Sequence, residues 1–396
     1  MKRIIVIILL SVQSFAYGQY HVNLNDKVVI GTHTNLETYF FMERLCVQHI
    51  NNFVFDLKDA SYSHQPIVDF AFKRFKPFVN TALVTKTSAL LKRLRDSLYD
   101  NGPLLNYLVN QKAFPASGPA FAGMMAENNK LDNTKLFAEI TDSLRSFYVQ
   151  AKVSGFLKEN AAFYGGAIKE VQKDVDLPAF AGLEKWFGQQ FPQYRLYLCP
   201  SMPITAGEDS YRGFGARIAS PKGLIPVMIM STDRVLPAQS PLTAYRHFGY
   251  DNPVITQMLT KHEMAHTFVN PLLDKYAKEI ARDTALFTRA LSAVQSPNYI
   301  NNWQICVIEH LVRLSEIRVA VAMGDIKMAD KLRKIHIGEY KCILLPLLEK
   351  HIIAYERNRK SYPRFKAYLP ELLAYMHTLT PQVVNKQVEL YKNYAD

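Results

Sequence analysis

Two histidines four residues apart, with a glutamate directly after the first, stand in "KHEMAHTFVNP": His262, Glu263 and His266. On a helix, side chains four apart point the same way from adjacent turns, so both imidazoles can reach one metal ion. Glu263 lies about 100° round the helix from His262, where a carboxylate can meet a metal-bound water without ligating the metal. The chemistry this suits is zinc-assisted hydrolysis, with Glu263 as general base. The same spacing also suits two core histidines satisfied by hydrogen bonds.

A catalytic zinc ion takes three protein ligands and leaves one position for water. A longer form of the motif has a glycine and then a third histidine where this chain has Val269 and Leu272, so the third ligand must lie farther along. The best candidate is Glu309, in "NNWQICVIEHLVRLSEIRVAVAMGD", 43 positions after His266. A carboxylate beside the apolar side formed by Ile305, Ile308, Val312 and Val319 needs a partner, and a cation is a sufficient one. Glu316, two turns on, is the rival, as ligand or as a group behind a ligand. His310 is a weaker rival, and Arg313, Tyr276 and Tyr362 are possible oxyanion donors among 22 tyrosines.

The elements that hold these residues have readable ends. Asn252 caps the motif helix and Pro253 suits its first position, while Pro271 is expected to stop it with Asn270 closing in the left-handed conformation. Asn301 or Asn302 caps the helix of Glu309. Before the motif, "YRLYLCP", "GFGARIAS" and "LIPVMIMS" read as consecutive strands between Pro- and Gly-containing turns. Gly213 and Gly215 allow "GFGARIAS" to serve as an edge that pairs with an extended peptide, or simply as a turn into a strand. Residues 20–33 read as a strand with a turn at Asn25 and Asp26, "NLETYFFMERLCVQHI" as a helix, and Pro66 to about Pro192 as a helical layer. Helical periodicity returns after Gly249 and holds almost to residue 396.

The start "MKRIIVIILLSVQSFAYGQ" has basic Lys2 and Arg3, an apolar run, and small Ala16 and Gly18, the pattern of a secretory signal cleaved after Gly18. No cysteine follows it to carry a lipid. The expected organisation is a signal peptide at 1–18, a strand plus helical region at 19–192, a small sheet and the motif helix at 193–271, and a helical part at 272–396. The mature chain is expected in the periplasm or outside the cell, with no transmembrane span. Cys46, Cys199, Cys306 and Cys342 lack zinc-ribbon spacing, and such a compartment permits one or two disulfides. Net charge is +12, falling to +10 without Lys2 and Arg3. The cationic residues are interspersed, with no nucleic-acid-binding signature, so specific nucleic-acid binding is not expected.

The histidine pair with a distal glutamate resembles the gluzincin group of zinc metallopeptidases. "HEMAHTFVNPL", "EHLVRLSEIR" and "YERNRKSYP", with "THTNLETYFFMERL" and "FYGGAIKEV", resemble a family of secreted bacterial proteins of unassigned function grouped with those peptidases. The resemblance implies His262, His266 and Glu309 as ligands of one Zn2+ ion and Glu263 as base. It implies an α+β, predominantly helical, zincin-like fold, with a small mixed sheet packed on the motif helix and a helical C-terminal part. The expected function is a secreted zinc metallopeptidase acting on peptide or protein substrates. The alternative is a catalytically weak or inactive binding protein on the same scaffold at the cell envelope. One departure stands out: thermolysin-like gluzincins have an aspartate four residues after the ligand glutamate, and this chain has Arg313.

Overall fold

A computed structural model describes residues 13–14, 20–50, 62–63, 65–98, 101–121, 133–205 and 212–394. The fold is α+β and mostly helical, with one small mixed sheet. The signal segment expected at 1–18 lies outside the described residues, except that Gln13–Ser14 pair with His21 and Tyr20. Among the described residues no helix is long and apolar enough to cross a membrane. The four cysteines are buried free thiols.

The chain divides into two compact units, Met1–Val175 with Phe191–Leu259, and Asp176–Gln190 with Thr260–Asp396. The helix of the histidine motif, Pro253–Leu273, begins in the first and ends in the second.

In the first unit, β1 (Tyr20–Asn23) and β2 (Val28–Thr32) form an antiparallel hairpin. Its turn is closed by the Asn25 carboxamide oxygen, which accepts from the backbone N–H groups of Lys27 and Val28. β3 (Tyr194–Leu198) lies parallel to β2, and β5 (Gly223–Met230) parallel to β3. β4 (Gly213–Ser220) pairs antiparallel with β5 and is the outer strand. Inner strands read as apolar runs because both faces are covered: Leu196, Leu198, Val227, Met228 and Ile229 are fully buried. Elsewhere in this unit the core is aromatic, with Phe75 and Phe156 packed on each other, Phe41 edge-on to Phe156 and Phe147 edge-on to Phe75.

The outer edge of β4 is only partly covered. Asn106 and Asn110 side chains bond the backbone of Arg217 and the N–H of Ala219, standing in for a neighbouring strand. Strand alternation turns the backbone groups of Gly213 and Gly215 the same way as those of Arg217 and Ala219.

The loop from β5 to the motif helix is tied down before the helix starts. Glu170 accepts from the N–H groups of Phe248 and Tyr250, and the Gln65 carboxamide reaches Thr232, Arg234 and Leu236. The Phe248 ring lies where a Cβ on Gly166 would stand, 2.2 Å from its carbons, which is why "FYGGAIKEV" needs a glycine there. Asn252 caps the helix as expected, its side chain accepting from the N–H groups of Val254 and Ile255.

In the second unit, the Glu309 helix runs Trp303–Ala322 and is capped by Asn302, whose oxygen accepts from Ile305. From Leu311 to Ala320 every residue is buried, so this helix is enclosed on all sides rather than along one stripe. The helix Leu177–Phe187 lies against it at Gly182, where a Cβ would come within 2.8 Å of Val319. The motif helix is held by Phe187, whose ring stacks on Phe268 at 4.6 Å, and by an ion pair of 2.6 Å between Lys261 and Asp176.

The expected stop at Pro271 is not where the motif helix ends. Pro271 sits inside the last turn and the helix continues to Leu273, passing into a 3-10 turn at Asp274–Tyr276. A proline this close to the end removes one hydrogen bond without forcing the backbone out of helical geometry. Asn270 is therefore helical, and its side chain is used elsewhere.

Asn252→Ala is expected to destabilise the protein by about 1 kcal/mol, the usual worth of an N-cap. Urea unfolding monitored by circular dichroism checks this, and an unchanged midpoint would show that the tied loop alone sets the helix start.

Candidate metal centre

His262 and His266 face each other across one helical turn, with ring centroids 4.7 Å apart and planes at 89°. Their Nε2 atoms are 3.1 Å apart. Each Nδ1 has its own partner: Glu316 Oε1 at 2.8 Å from His262, and Asn270 Oδ1 at 3.1 Å from His266. Both partners are acceptors, so each Nδ1 carries a proton, and when the rings are neutral each Nε2 keeps its lone pair. Two lone pairs at that separation repel unless a cation lies between them. Either a proton carried by a charged His262 or a metal ion satisfies the pair at this distance.

Glu309 arrives from the other helix. Its Oε1 is 3.4 Å from His266 Nε2 and its Oε2 is 3.6 Å from His262 Nε2. A tetrahedral metal bound at about 2.0–2.1 Å spaces its donors about 3.3–3.4 Å apart. The three donors, all within 4.8 Å of one another, thus form one face of a site of the right size for a divalent ion. Of the two glutamates left open by the sequence, Glu309 stands at the Nε2 atoms and Glu316 stands behind His262.

Glu316 is buried on all sides, and its second oxygen accepts from His336 Nε2 at 3.1 Å. His336 lies in a π-helical turn, Ile335–Glu339, the kind of helical irregularity that often marks a functional site. Arg313 completes the surroundings: Nη1 is 3.3 Å from His336 Nδ1, Nη2 is 3.3 Å from Glu309 Oε2, and the guanidinium lies 3.7 Å over the Tyr340 ring. Sequence reading missed His336, since nothing in its spacing links it to the motif. It also missed the use of Asn270, although four residues after His266 is the same helical step that joins the two histidines.

Burial sets the ionisation of the carboxylates against their neighbours, and the neighbours win. Burial pushes Glu316 up, but His336 and His262 outweigh it and hold its carboxyl far below the usual range. Burial likewise raises Glu309, and His262, His266 and Arg313 bring it below its ordinary value. Burial and Arg313 pull His262 down, whereas Glu316 and Glu309 carry it above its ordinary value. Burial keeps His336 below its ordinary value and so neutral.

The remaining candidates have other occupations. His310 is buried with both nitrogens used, Nδ1 towards the Cys306 carbonyl and Nε2 accepting from the Leu344 N–H. Tyr362 packs edge-on to Tyr368, and Arg313 is committed to Glu309 and His336. Glu263 is half-buried and has no protein partner among the described residues. A second grouping, Glu170, His247 and Asp251, also brings three donors together. There the Glu170 oxygens take backbone N–H groups, while Asp251 pairs with Arg234 and His247, so that cluster holds the loop by itself.

A family model described as Domain of unknown function (DUF4932) matches residues 107–375, and the chain belongs to that family. The matched span contains every group of the centre. No curated protein and no solved structure matches the chain.

A metal ion must displace the proton that the carboxylates favour on His262. Because that imidazole is held above 6.5, metal affinity is expected to start weakening at a pH above 6.5 as the solution is acidified, by up to about tenfold per pH unit. In the metal-free protein the sign is reversed: the charged His262 contributes stability below pH 6.5, and this is lost as pH rises through its raised value. Chelator competition between pH 8.5 and 5.5, with about those limits chosen to bracket an imidazole, checks the first statement. An affinity that stays flat until well below 6.5 would contradict it.

Proposed function

We propose that this DUF4932 member is a secreted zinc-dependent metallopeptidase of the gluzincin type on a zincin-like scaffold. The observation that carries the reading is the convergence of two imidazole Nε2 atoms and the Glu309 carboxylate, with Glu263 beside them on the same helix and unclaimed by any described residue. An imidazole pair with one carboxylate is a ligand set suited to zinc. The secretory pattern around Lys2 and Arg3 supports a periplasmic or extracellular location.

His262, His266 and Glu309 would hold the ion. When bound, zinc supplies Lewis acidity that polarises a scissile carbonyl and acidifies a water. Glu263 accepts the proton of the attacking water as its oxygen bonds to the carbonyl carbon. It then returns that proton to the leaving nitrogen as the C–N bond breaks, so a peptide is cleaved to an acid and an amine. Acceptors on both Nδ1 atoms, the Glu316 carboxylate and the Asn270 carboxamide oxygen, keep the Nε2 lone pairs of the neutral rings directed at the ion. A peptide or protein is the substrate class that hydrolysis by these ligands with Glu263 as base suits.

Glu263→Gln is expected to keep one zinc ion per chain while casein or peptide-library cleavage falls by about 10²–10⁴-fold. Cleavage undiminished in that variant would remove the proposed base. A fully zinc-loaded wild type that cleaves nothing would instead support the alternative of a binding protein on this scaffold.

A further inference from the structure

We propose that Arg313 is a positioning residue: acting through His336 and Glu316, it fixes the tautomer in which His262 presents its Nε2 to the metal, and with its other arm it holds Glu309. The contacts form a closed ring. From Glu309 Oε2 it passes to Arg313 Nη2 at 3.3 Å, from Nη1 to His336 Nδ1 at 3.3 Å, and from His336 Nε2 to Glu316 Oε2 at 3.1 Å. From Glu316 Oε1 it passes to His262 Nδ1 at 2.8 Å, and His262 Nε2 returns to Glu309 Oε2 at 3.6 Å.

The direction of every bond in the ring follows from one fact: a guanidinium can only donate. His336 Nδ1 must therefore accept, so the single proton of that neutral ring sits on Nε2 and is donated to Glu316. A doubly protonated His336 would set an N–H against the N–H of Arg313 in a buried place. Glu316 receives a donor on each oxygen, from His336 on one and from His262 Nδ1 on the other. In the neutral His262 ring that leaves Nε2 as the lone-pair atom. The opposite choice at His336 would turn an N–H towards Arg313 and a lone pair towards Glu316, and both contacts would become repulsive.

The role accounts for the departure in the sequence. At the position four residues after Glu309, where a carboxylate would act directly on a ligand histidine, this chain has a cation. The carboxylate that holds His262 comes instead from Glu316, seven residues after Glu309, and Arg313 sets its partner. A guanidinium has two parallel arms that reach His336 and Glu309 together while its face rests on Tyr340; a lysine ammonium has no such fork. The statement about metal presentation rests on the zinc reading above, whereas the proton positions do not.

The test is a long-range ¹H–¹⁵N correlation spectrum of the histidine side chains in the full-length protein, with the His336 signals assigned by His336→Gln. The expected wild-type pattern, metal-free and zinc-loaded alike, is a neutral His336 protonated on Nε2. Arg313→Met is expected to lose that pattern, with His336 moving to a tautomer mixture or becoming charged, and zinc affinity is expected to fall about 10–100-fold. His336→Gln, whose carboxamide can still accept from Arg313 and donate to Glu316, is expected to bind zinc within about tenfold of wild type, and His336→Leu to lose as much as Arg313→Met. A wild-type His336 protonated on Nδ1 or doubly protonated overturns the proposal without recourse to any variant. So does an Arg313→Met protein with an unchanged His336 pattern. The expected His336 pattern in a wild type that takes up no zinc would sustain the proton positions and sink the metal reading, so the two failures are distinct.

Discussion

Two imidazole Nε2 atoms 3.1 Å apart, each with its ring's Nδ1 already engaged, impose the requirement that organises this centre. Left to themselves, neutral rings on adjacent helical turns would rotate so that one donates to the other. Here each Nδ1 already donates, one to a buried carboxylate and one to a carboxamide a further turn along the same helix, so the two Nε2 atoms can share only an additional proton or a cation. The rings are thereby held in an orientation that suits two ligands of one cation. Glu309, at comparable distance from both, supplies the negative charge that a cation in that position would neutralise.

Keeping this arrangement requires charges inside the protein. Glu316 and Arg313 are both nearly inaccessible to solvent, and burying an ion costs several kcal/mol unless its hydrogen-bonding capacity is met. Glu316 meets it with two imidazole N–H groups, whereas Arg313 does so in part, with a carboxylate, an imidazole and an aromatic face for its two Nη arms and ring plane, while its Nε is buried without a hydrogen-bond partner among the described residues. Removing one member of such a set strands another, a change of the order of 3–5 kcal/mol. The burial of the Glu309 helix on all sides is what makes these groups depend on one another rather than on water. A π-helical turn brings His336 to the far side of Glu316.

What could be read from the sequence is what depends on local spacing. The histidine spacing, the Asn252 cap, a second cap at Asn301 or Asn302, resolved as Asn302, and the three strands before the motif follow from helical or strand periodicity and from the chemistry of single residues. Pro271 was misread because a proline's effect depends on how near the helix end it falls, which the local sequence does not specify. Asn270, taken as a terminator, is a helical residue whose side chain supports His266. His336 was invisible because it is joined to the centre only by tertiary packing, twenty residues beyond Glu316. Arg313 was visible as a departure from the gluzincin pattern, but its purpose needed the position of His336.

The most direct test of the shared cation is X-ray absorption at the zinc edge on the reconstituted protein. The expected result is one zinc ion per chain, four-coordinate, with the outer-shell scattering of two imidazoles and light-atom distances of about 2.0–2.1 Å. A spectrum without imidazole scattering, or a six-oxygen shell, would show that His262 and His266 do not grip the ion together.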